Sequence, residues 1–423
     1  MKPSIHYFFI PVLSIILLAC GGEEAPDEQT VAEEQMYFET LSPEKTGISF
    51  TNQLTETDSF NYMTFQYIYN GGGVAVGDIN NDGLTDIYFT GNQVADKLYL
   101  NKGGMVFEDI TKSALGEVAE DGWHTGVTMA DVNEDGNLDI FVSRSGMDNE
   151  GEALRNFLLI NQGDNTFKEE GLKWGLSTER GTNQSALFDM DNDGDLDLYV
   201  TNSSSVESNF FYQNNGDGTF LKISSSEVVS YLSNSHGASW IDYDNDGDLD
   251  LLVANDQGQQ NFLFSNKGDG TFEKLVNAIT EDLNDSYGTA WSDYDNDGDY
   301  DLFVANTGSN SNDFFINQKG SCTNHIVVKL NGCNSNSFGI GAMVKVKATI
   351  DGVEKWQTKH ISTQTSAMGG QNSSKLLFGL LDANAVDSVV VVWPSGVITY
   401  ITNPTINELL VVNESCGSKV CGL

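Results

Sequence analysis

Basic residues are scarce in this chain. Lysine and arginine number 21 against 61 aspartates and glutamates, for a formal net charge of −40 at pH 7 and a pI near 4.1. Phosphate backbones are held by clustered Lys and Arg, so nucleic acid is excluded as a natural partner. Histidine is nearly missing, with five in 423 residues. His6 lies in the N-terminal signal segment, His124 and His236 fall at similar places of a repeat, and His325 and His360 have no companions that would make a triad. No catalytic residue is assigned. Cysteine is limited to five. The apolar stretch from Tyr7 to Leu18 is twelve residues long, too short for a bilayer, which takes about 20.

Aspartate, by contrast, is concentrated and ordered. The stretch from Asp293 to Asp301 reads DYDNDGDYD, with five carboxylates in nine residues. Crowded like charges repel and destabilise a compact state unless something positive sits among them. Alternating carboxylates on a curled loop converge on one centre, and glycine at the sixth place permits the bend. Hard oxygen donors in that number suit Ca²⁺ better than Mg²⁺, which takes fewer protein ligands in stricter geometry. The pattern starts five times, at Asp78, Asp131, Asp189, Asp242 and Asp293, at intervals of 53, 58, 53 and 51 residues. Five calcium sites are therefore expected, about one per repeat.

The expected ligand sets are Asp78, Asn80, Asp82, Leu84 and Asp86; Asp131, Asn133, Asp135, Asn137 and Asp139; Asp189, Asp191, Asp193, Asp195 and Asp197; Asp242, Asp244, Asp246, Asp248 and Asp250; and Asp293, Asp295, Asp297, Asp299 and Asp301. An EF-hand would need a bidentate Glu at the twelfth place and flanking helices. Here the twelfth places are Phe89, Val142, Val200, Val253 and Val304, and each loop leads into a strand-like run such as DLFVA.

The rest of each repeat reads as further strands. A first strand precedes the loop, a second leaves it, a third begins with Asn (NFLL, NFFY, NFLF), and a fourth follows a Gly-rich turn. Four short antiparallel strands in about fifty residues make one blade of a β-propeller. The predicted fold is all-β: a propeller over residues 37–320, then a small β-rich domain over 321–423. Five blades are apparent, with six or seven as alternatives. Glycine stands five places before the loop in four copies (Gly73, Gly126, Gly237, Gly288), with Gln184 in the other. The fifth repeat stops after its third strand. The N-terminal segment MYFETLSPEKTGISF is expected to supply the fourth strand and close the ring, removing a sheet edge.

These repeats resemble the FG-GAP or VCBS type found in integrin α-chain propellers and bacterial surface proteins. The tail, with VVKLNGCNSNSFGIGAMVKV, LLFGL (376–380) and VVVVWPSG (389–396), resembles the ASPIC/UnbV domain of the cartilage acidic protein family. Ser337 and Met343 stand where that family often carries arginine, and Leu381 where it often carries glycine, so no role of those arginines is carried over. The resemblance implies calcium binding and an extracellular setting, with no settled enzymatic activity. Trp393 is expected to be a core anchor.

The N-terminus reads as a signal peptide over residues 1–19. LLAC, ending at Cys20, resembles a bacterial lipobox and implies lipid attachment there; an ordinary signal peptide with a chance cysteine is the alternative. The acidic segment 20–36 reads as a flexible tether. Acidic residues after the lipidated cysteine resemble surface-export signals of Bacteroidetes-type lipoproteins. The expected location is the outer membrane, at the cell surface, with membrane contact through the lipid anchor alone. Cys322, Cys333, Cys416 and Cys421 are disulfide candidates in an exported protein. Local bridges, Cys322–Cys333 and Cys416–Cys421, are the simplest pairing, and a bridge from the C-terminus back to Cys322 or Cys333 is the rival.

Function is expected on the propeller face opposite the calcium turns. Tyr67, Tyr69, Trp123, Trp174, Tyr231 and Tyr287 lie in the loops leading to first strands, where aromatics stack on sugars or anchor proteins. The expected role is adhesion or binding of a protein or glycan ligand. The alternative is a secreted propeller enzyme acting on polysaccharide.

Overall fold

Each aspartate loop joins two antiparallel strands, and in the middle blades the apolar run after it is buried on both faces. The computed structural model describes residues 40–65, 68–118, 122–145, 155–176, 182–191, 193–319, 323–361 and 372–416, with only the backbone for 203–206. The expectations for the signal peptide, tether, Cys20, Tyr67, Cys322 and Cys421 lie outside the described residues.

Blade one comprises β1 (Val74–Gly77), β2 (Asp86–Phe89), β3 (Lys97–Asn101) and β4 (Phe107–Asp109). Blade two comprises β5 (Trp123–Ala130), β6 (Asp139–Ser145), β7 (Phe157–Asn161) and β8 (Phe167–Glu169). Blade three has β9 (Thr182–Phe188), β10 (Asp197–Ser208), β11 (Phe210–Asn214) and β12 (Phe220–Ile223). Blade four has β13 (Leu232–Ile241), β14 (Asp250–Asn255), β15 (Phe262–Asn266) and β16 (Phe272–Lys274). Among the described residues blade five has three strands, β17 (Ser286–Ser292), β18 (Asp301–Asn306) and β19 (Asp313–Phe315). The first strands β1, β5, β9, β13 and β17 lie side by side in that order. The far end of β10 runs past its own blade and pairs with β13, joining blades three and four into one sheet.

Strand periodicity explains the stacking. On β6, Ile140 and Val142 pack toward blade one with Tyr88 and Leu98, while Phe141 packs toward blade three with Leu198 and Tyr212. On β14, Leu251 and Val253 meet Phe188 and Phe211, while Leu252 joins Trp291 and Leu302 of blade five. Both faces of the middle blades are thus interfaces.

The outward faces of the terminal blades differ. Val74 and Val76 on β1 are about half exposed, as are Tyr294 and Phe314 in blade five. The start of the segment expected to complete blade five, residues 36–39, lies outside the described residues. Residues Pro43–Thr46 form a helical turn, α1, with the Gly47 N–H bonded to the Pro43 carbonyl and Gly47 at φ +80°. The chain then lies along blade one. The Ser49 N–H donates to Tyr99 Oη (3.3 Å), Phe50 stacks on Phe89 (5.2 Å) and Asn52 Nδ2 donates to Asn92 Oδ1 (2.6 Å). Proline lacks the N–H that a ladder needs and fixes φ for a helical turn. Two further short helices, α2 (Thr111–Leu115) and α3 (Ala278–Glu281), connect blades.

The tail domain has two sheets. One orders β23 (Leu376–Leu381), β20 (Asn324–Asn331) and β26 (Leu409–Asn413); the other orders β22 (Val353–His360), β21 (Met343–Ile350), β24 (Val386–Val392) and β25 (Ile398–Thr402). Their shared core includes Val328, Val344, Val346, Phe378, Val389 and Trp393, which is 2% exposed and takes the anchoring place expected of it. β20 and β26 run parallel, with Asn331 opposite Asn413, so the residues just beyond them meet. The disulfide is accordingly Cys333–Cys416, with Cα atoms 6.1 Å apart, rather than the simpler local pairing.

Candidate metal centre

The loops are built alike. In the first, the Asp82 and Gly83 N–H groups donate to the two oxygens of Asp78 (3.1 and 2.7 Å), and the Leu84 N–H donates to Asp82 (2.8 Å). The second repeats this with Asp131, Asp135, Gly136 and Asn137. The sixth-place glycines, Gly83, Gly136, Gly194, Gly247 and Gly298, all have φ between +84° and +107°, a region that glycine alone enters freely. Fourth-place Asn81, Glu134, Asn245 and Asn296 also take positive φ. These turns bring carboxylates at places one, three and five together. Ligand oxygens lie within 4.8 Å of one another in Asp189–Asp191–Asp193, Asp242–Asp244–Asp246 and Asp293–Asp295–Asp297. In the first two loops the third place is Asn80 or Asn133, whose amide donates to Asp82 or Asp135 (3.0 Å each). Leu84 offers only its backbone carbonyl to an ion.

The fit to a hard cation can be tested on the donor atoms. Asp189 Oδ1, Asp242 Oδ1 and Asp244 Oδ1 are buried with no hydrogen-bond partner. A buried carboxylate oxygen without a partner is costly, and an oxygen-seeking divalent ion satisfies it. Burial, then the charges of Asp193 and Asp191, push Asp189 up to about 7. Burial likewise pushes Asp246 up to about 7, with Asp242 and Asp244 adding to it. Such a loop is short of positive charge.

The ninth-place aspartates do something further. Asp86, Asp139, Asp197, Asp250 and Asp301 are at most 1% exposed. In each, Oδ2 accepts the N–H of the second-place residue: Ile79, Val132, Met190, Tyr243 or Tyr294, at 2.8–3.1 Å. Oδ1 accepts the N–H of an asparagine at the end of the third strand, or two residues past it in blade five: Asn101, Asn161, Asn214, Asn266 or Asn317, at 2.7–2.9 Å. That asparagine's amide then reaches the preceding blade. Asn161 donates to the Ile79 carbonyl, Asn214 to Val132, Asn266 to Met190 and Asn317 to Tyr243, at 2.7–3.3 Å. The ninth carboxylate therefore pins its own hairpin, and its asparagine ties consecutive loops into one arc.

A second recurring residue sits just before each third strand. Asp96, Asn156, Asn209, Asn261 and Asn312 accept the N–H that closes the second strand. Four also reach the next blade: Asp96 to His124 Nδ1 (2.7 Å), Asn156 to Thr182 Oγ1, Asn209 to Ser235 Oγ and Asn261 to Ser286 Oγ. The pattern reading placed neither asparagine in a role. Their signal was visible in asparagines that open and close the third strand of successive repeats (NFLLIN, NFFYQN, NFLFSN).

On the opposite face, the expected aromatics separate. Tyr69 is exposed. Trp123 is partly exposed and meets Phe60 and Phe65 edge-on at 5.3 Å each. Tyr231 is partly exposed against Phe262 and Phe264, and its hydroxyl donates to Glu227. Tyr287 stacks on His236 at 4.2 Å and donates to Asp256 (2.9 Å). Trp174 is 4% exposed and packs with Phe220 in the core between blades two and three, so it belongs to no exposed face. The two repeat histidines are buried beside carboxylates, His124 on Asp96 and His236 on Asp256 (2.7 and 2.9 Å).

Comparison with known proteins agrees with the repeat pattern. Residues 78–142, 189–253 and 242–304 match the FG-GAP-like repeat family, and residues 332–419 match the ASPIC and UnbV family. Cartilage acidic protein 1 of Xenopus tropicalis is 28% identical over 214 residues, 47% of this chain and 31% of that protein. The Homo sapiens protein is 27% identical over 195 residues, 44% of this chain and 28% of that protein. The chain thus spans about three tenths of the length of these relatives. Among solved structures, an Agrocybe aegerita lectin that recognises non-reducing terminal N-acetylglucosamine aligns over 73% of this chain and 85% of its own, with 16% identity and a TM-score of 0.38. A V. cholerae biofilm matrix protein aligns over 78% of this chain and 48% of its own, with 13% identity and a TM-score of 0.34.

Proposed function

With FG-GAP-like repeats, a C-terminal ASPIC/UnbV domain and homology to cartilage acidic protein 1 as the premise, we propose that this chain is an exported, calcium-braced β-propeller. It acts as an adhesion or ligand-binding module and carries no catalysis of its own. Calcium, about one ion per repeat, fixes the turns; the anchor is a lipid on Cys20, and the site of action is the cell surface. The single observation that carries the calcium reading is the set of buried, partnerless carboxylate oxygens on Asp189, Asp242 and Asp244 within the aspartate triads. Among the described residues no helix is long and apolar enough to cross a membrane.

The binding face is the one opposite the aspartate loops, where Tyr69 and the partly exposed Trp123, Tyr231 and Tyr287 present ring surface to a sugar or a protein. Calorimetric titration with calcium tests the first half: several ions per chain are expected, and none would overturn it. Screening the purified chain against glycans and matrix proteins tests the second. Binding that weakens in Trp123→Ala and Tyr69→Ala supports the face. Polysaccharide cleavage with no stable binding would overturn the module reading.

A further inference from the structure

Loops three and four read DMDNDGDLD and DYDNDGDLD, differing at one place. Their surroundings differ far more. Asp191 is exposed in loop three, while its counterpart Asp244 is half-buried; Asp242 and the fourth-place Asn245 are both 0% exposed. The cover comes from the tail domain. The Gly379 N–H donates to Asp242 Oδ2 (3.2 Å), the Leu381 N–H donates to the Asn245 carbonyl (3.1 Å), and Gln357 Nε2 donates to the Gly379 carbonyl (2.6 Å). Lys355 Nζ reaches Asp248 Oδ2 (2.9 Å). Gly379 is the glycine of the LLFGL run, and the contact explains it. A Cβ there would lie 2.3 Å from Asn245 Cα and 2.5 Å from Asp242 Oδ2.

We infer that the tail domain is a lid on the fourth loop, so that a divalent cation on Asp242, Asp244 and Asp246 and the docked tail stabilise one another. This rests on reading the loops as calcium sites. Lysines alone do not complete the loop. Lys355 pairs with Asp248, outside the triad, Lys319 pairs with Asp244 Oδ2 (3.2 Å), and Lys359, whose charge acts on Asp242, donates its hydrogen bond to the Leu377 carbonyl (2.6 Å), which leaves Asp242 Oδ1 and Asp244 Oδ1 buried and without a hydrogen-bond partner. Closing the lid on those oxygens strips them of water, at a cost that a bound cation removes. The coupling is reciprocal: whatever the ion adds to docking, docking adds to ion affinity.

The test uses the full chain, calcium alone as the probe, and two readouts. Calorimetry counts ions and affinities, and hydrogen exchange follows the amides of β22 and β23. Calcium should slow exchange there in the wild type and in Asp193→Asn, which alters loop three, but not in Asp246→Asn. Gly379→Ala should weaken one calcium site by about 5–150-fold, the usual range of coupling between sites, and leave the others unchanged. Should that variant fail to fold, Gln357→Ala, which removes one side-chain bond, gives the same readout at smaller amplitude. Equal calcium protection of β22 and β23 in Asp246→Asn, or a lid variant with every site intact, overturns the lid while the calcium reading stands. Calcium binding nowhere overturns both.

Discussion

Loop three and loop four are nearly the same nine residues held in two environments, and the difference shows how far a motif's chemistry depends on what packs over it. Asp189 and Asp242 occupy the same place. Asp242 is the more deeply buried of the two, and burial raises the carboxyl in both. The nearby Lys359 ammonium and the Gly379 N–H, both from the tail, offset part of the desolvation. In loop three the Gly194 and Asp193 N–H groups, from the loop itself, offset part of it, and neighbouring aspartates add to the shift in both loops. Loop three faces solvent, and loop four lies at an interface between domains.

The largest expected effect bears on both loops together. Calcium sites of extracellular type have Kd of roughly 10⁻⁴–10⁻³ M. At ten times Kd, each occupied site contributes about 1.4 kcal/mol, so five contribute on the order of 7 kcal/mol. Chelation should then lower the melting temperature by about 10 °C or more, and an unchanged thermal scan would remove the structural role of the ion. Next come Asp197→Ala and Asp250→Ala. Each takes the acceptor from two backbone N–H groups, at about 1–3 kcal/mol per buried group. Urea unfolding should show similar losses in the two loops, because the pin does not involve the tail. A large difference would mean that the tail also carries the fourth hairpin.

A pH scan of the chelated protein separates ion from fold. Burial raises Asp139 to about 7, Asp189 to about 7 and Asp197 to about 8. A carboxyl whose folded value is raised favours the folded state below its unfolded value and loses that contribution as pH rises through the folded one. Without calcium the protein should melt progressively earlier between about pH 4 and pH 8. With calcium bound, the carboxylates are held charged and this trend should vanish or reverse. A chelated protein steadiest at pH 8 would contradict the shifts. The smallest effect is that of the ties between blades. Asn214→Ala and Asn266→Ala should each cost about 1–2 kcal/mol, and equal losses would place loops three and four in one mechanical arc despite their different cover.

Much of this was legible in the linear chain. The period near fifty, the glycine at the sixth place and the strand after each loop predicted the hairpins that β1 to β19 form. These features act within a few residues, where spacing and backbone conformation are decided locally. The sequence reading erred or stayed open where distance in the chain was large. It placed Trp174 on an exposed face, but the residue fills the core against Phe220. It left two disulfide pairings open, and the parallel pairing of β20 with β26 decides for the long-range one, bringing Cys333 to Cys416 across 83 residues. The expected closing strand of blade five begins at residues 36–39, outside the described residues, so that expectation stands neither met nor overturned.

The sequence by itself determined that carboxylates gather five times on tight turns between strands, since nine consecutive residues carry the ligand spacing and the glycine that bends it. Only the tertiary structure decided which of those loops lies under a lid. That outcome depends on a glycine 137 residues beyond Asp242, and a contact of that reach is set by how two finished domains pack rather than by any local pattern.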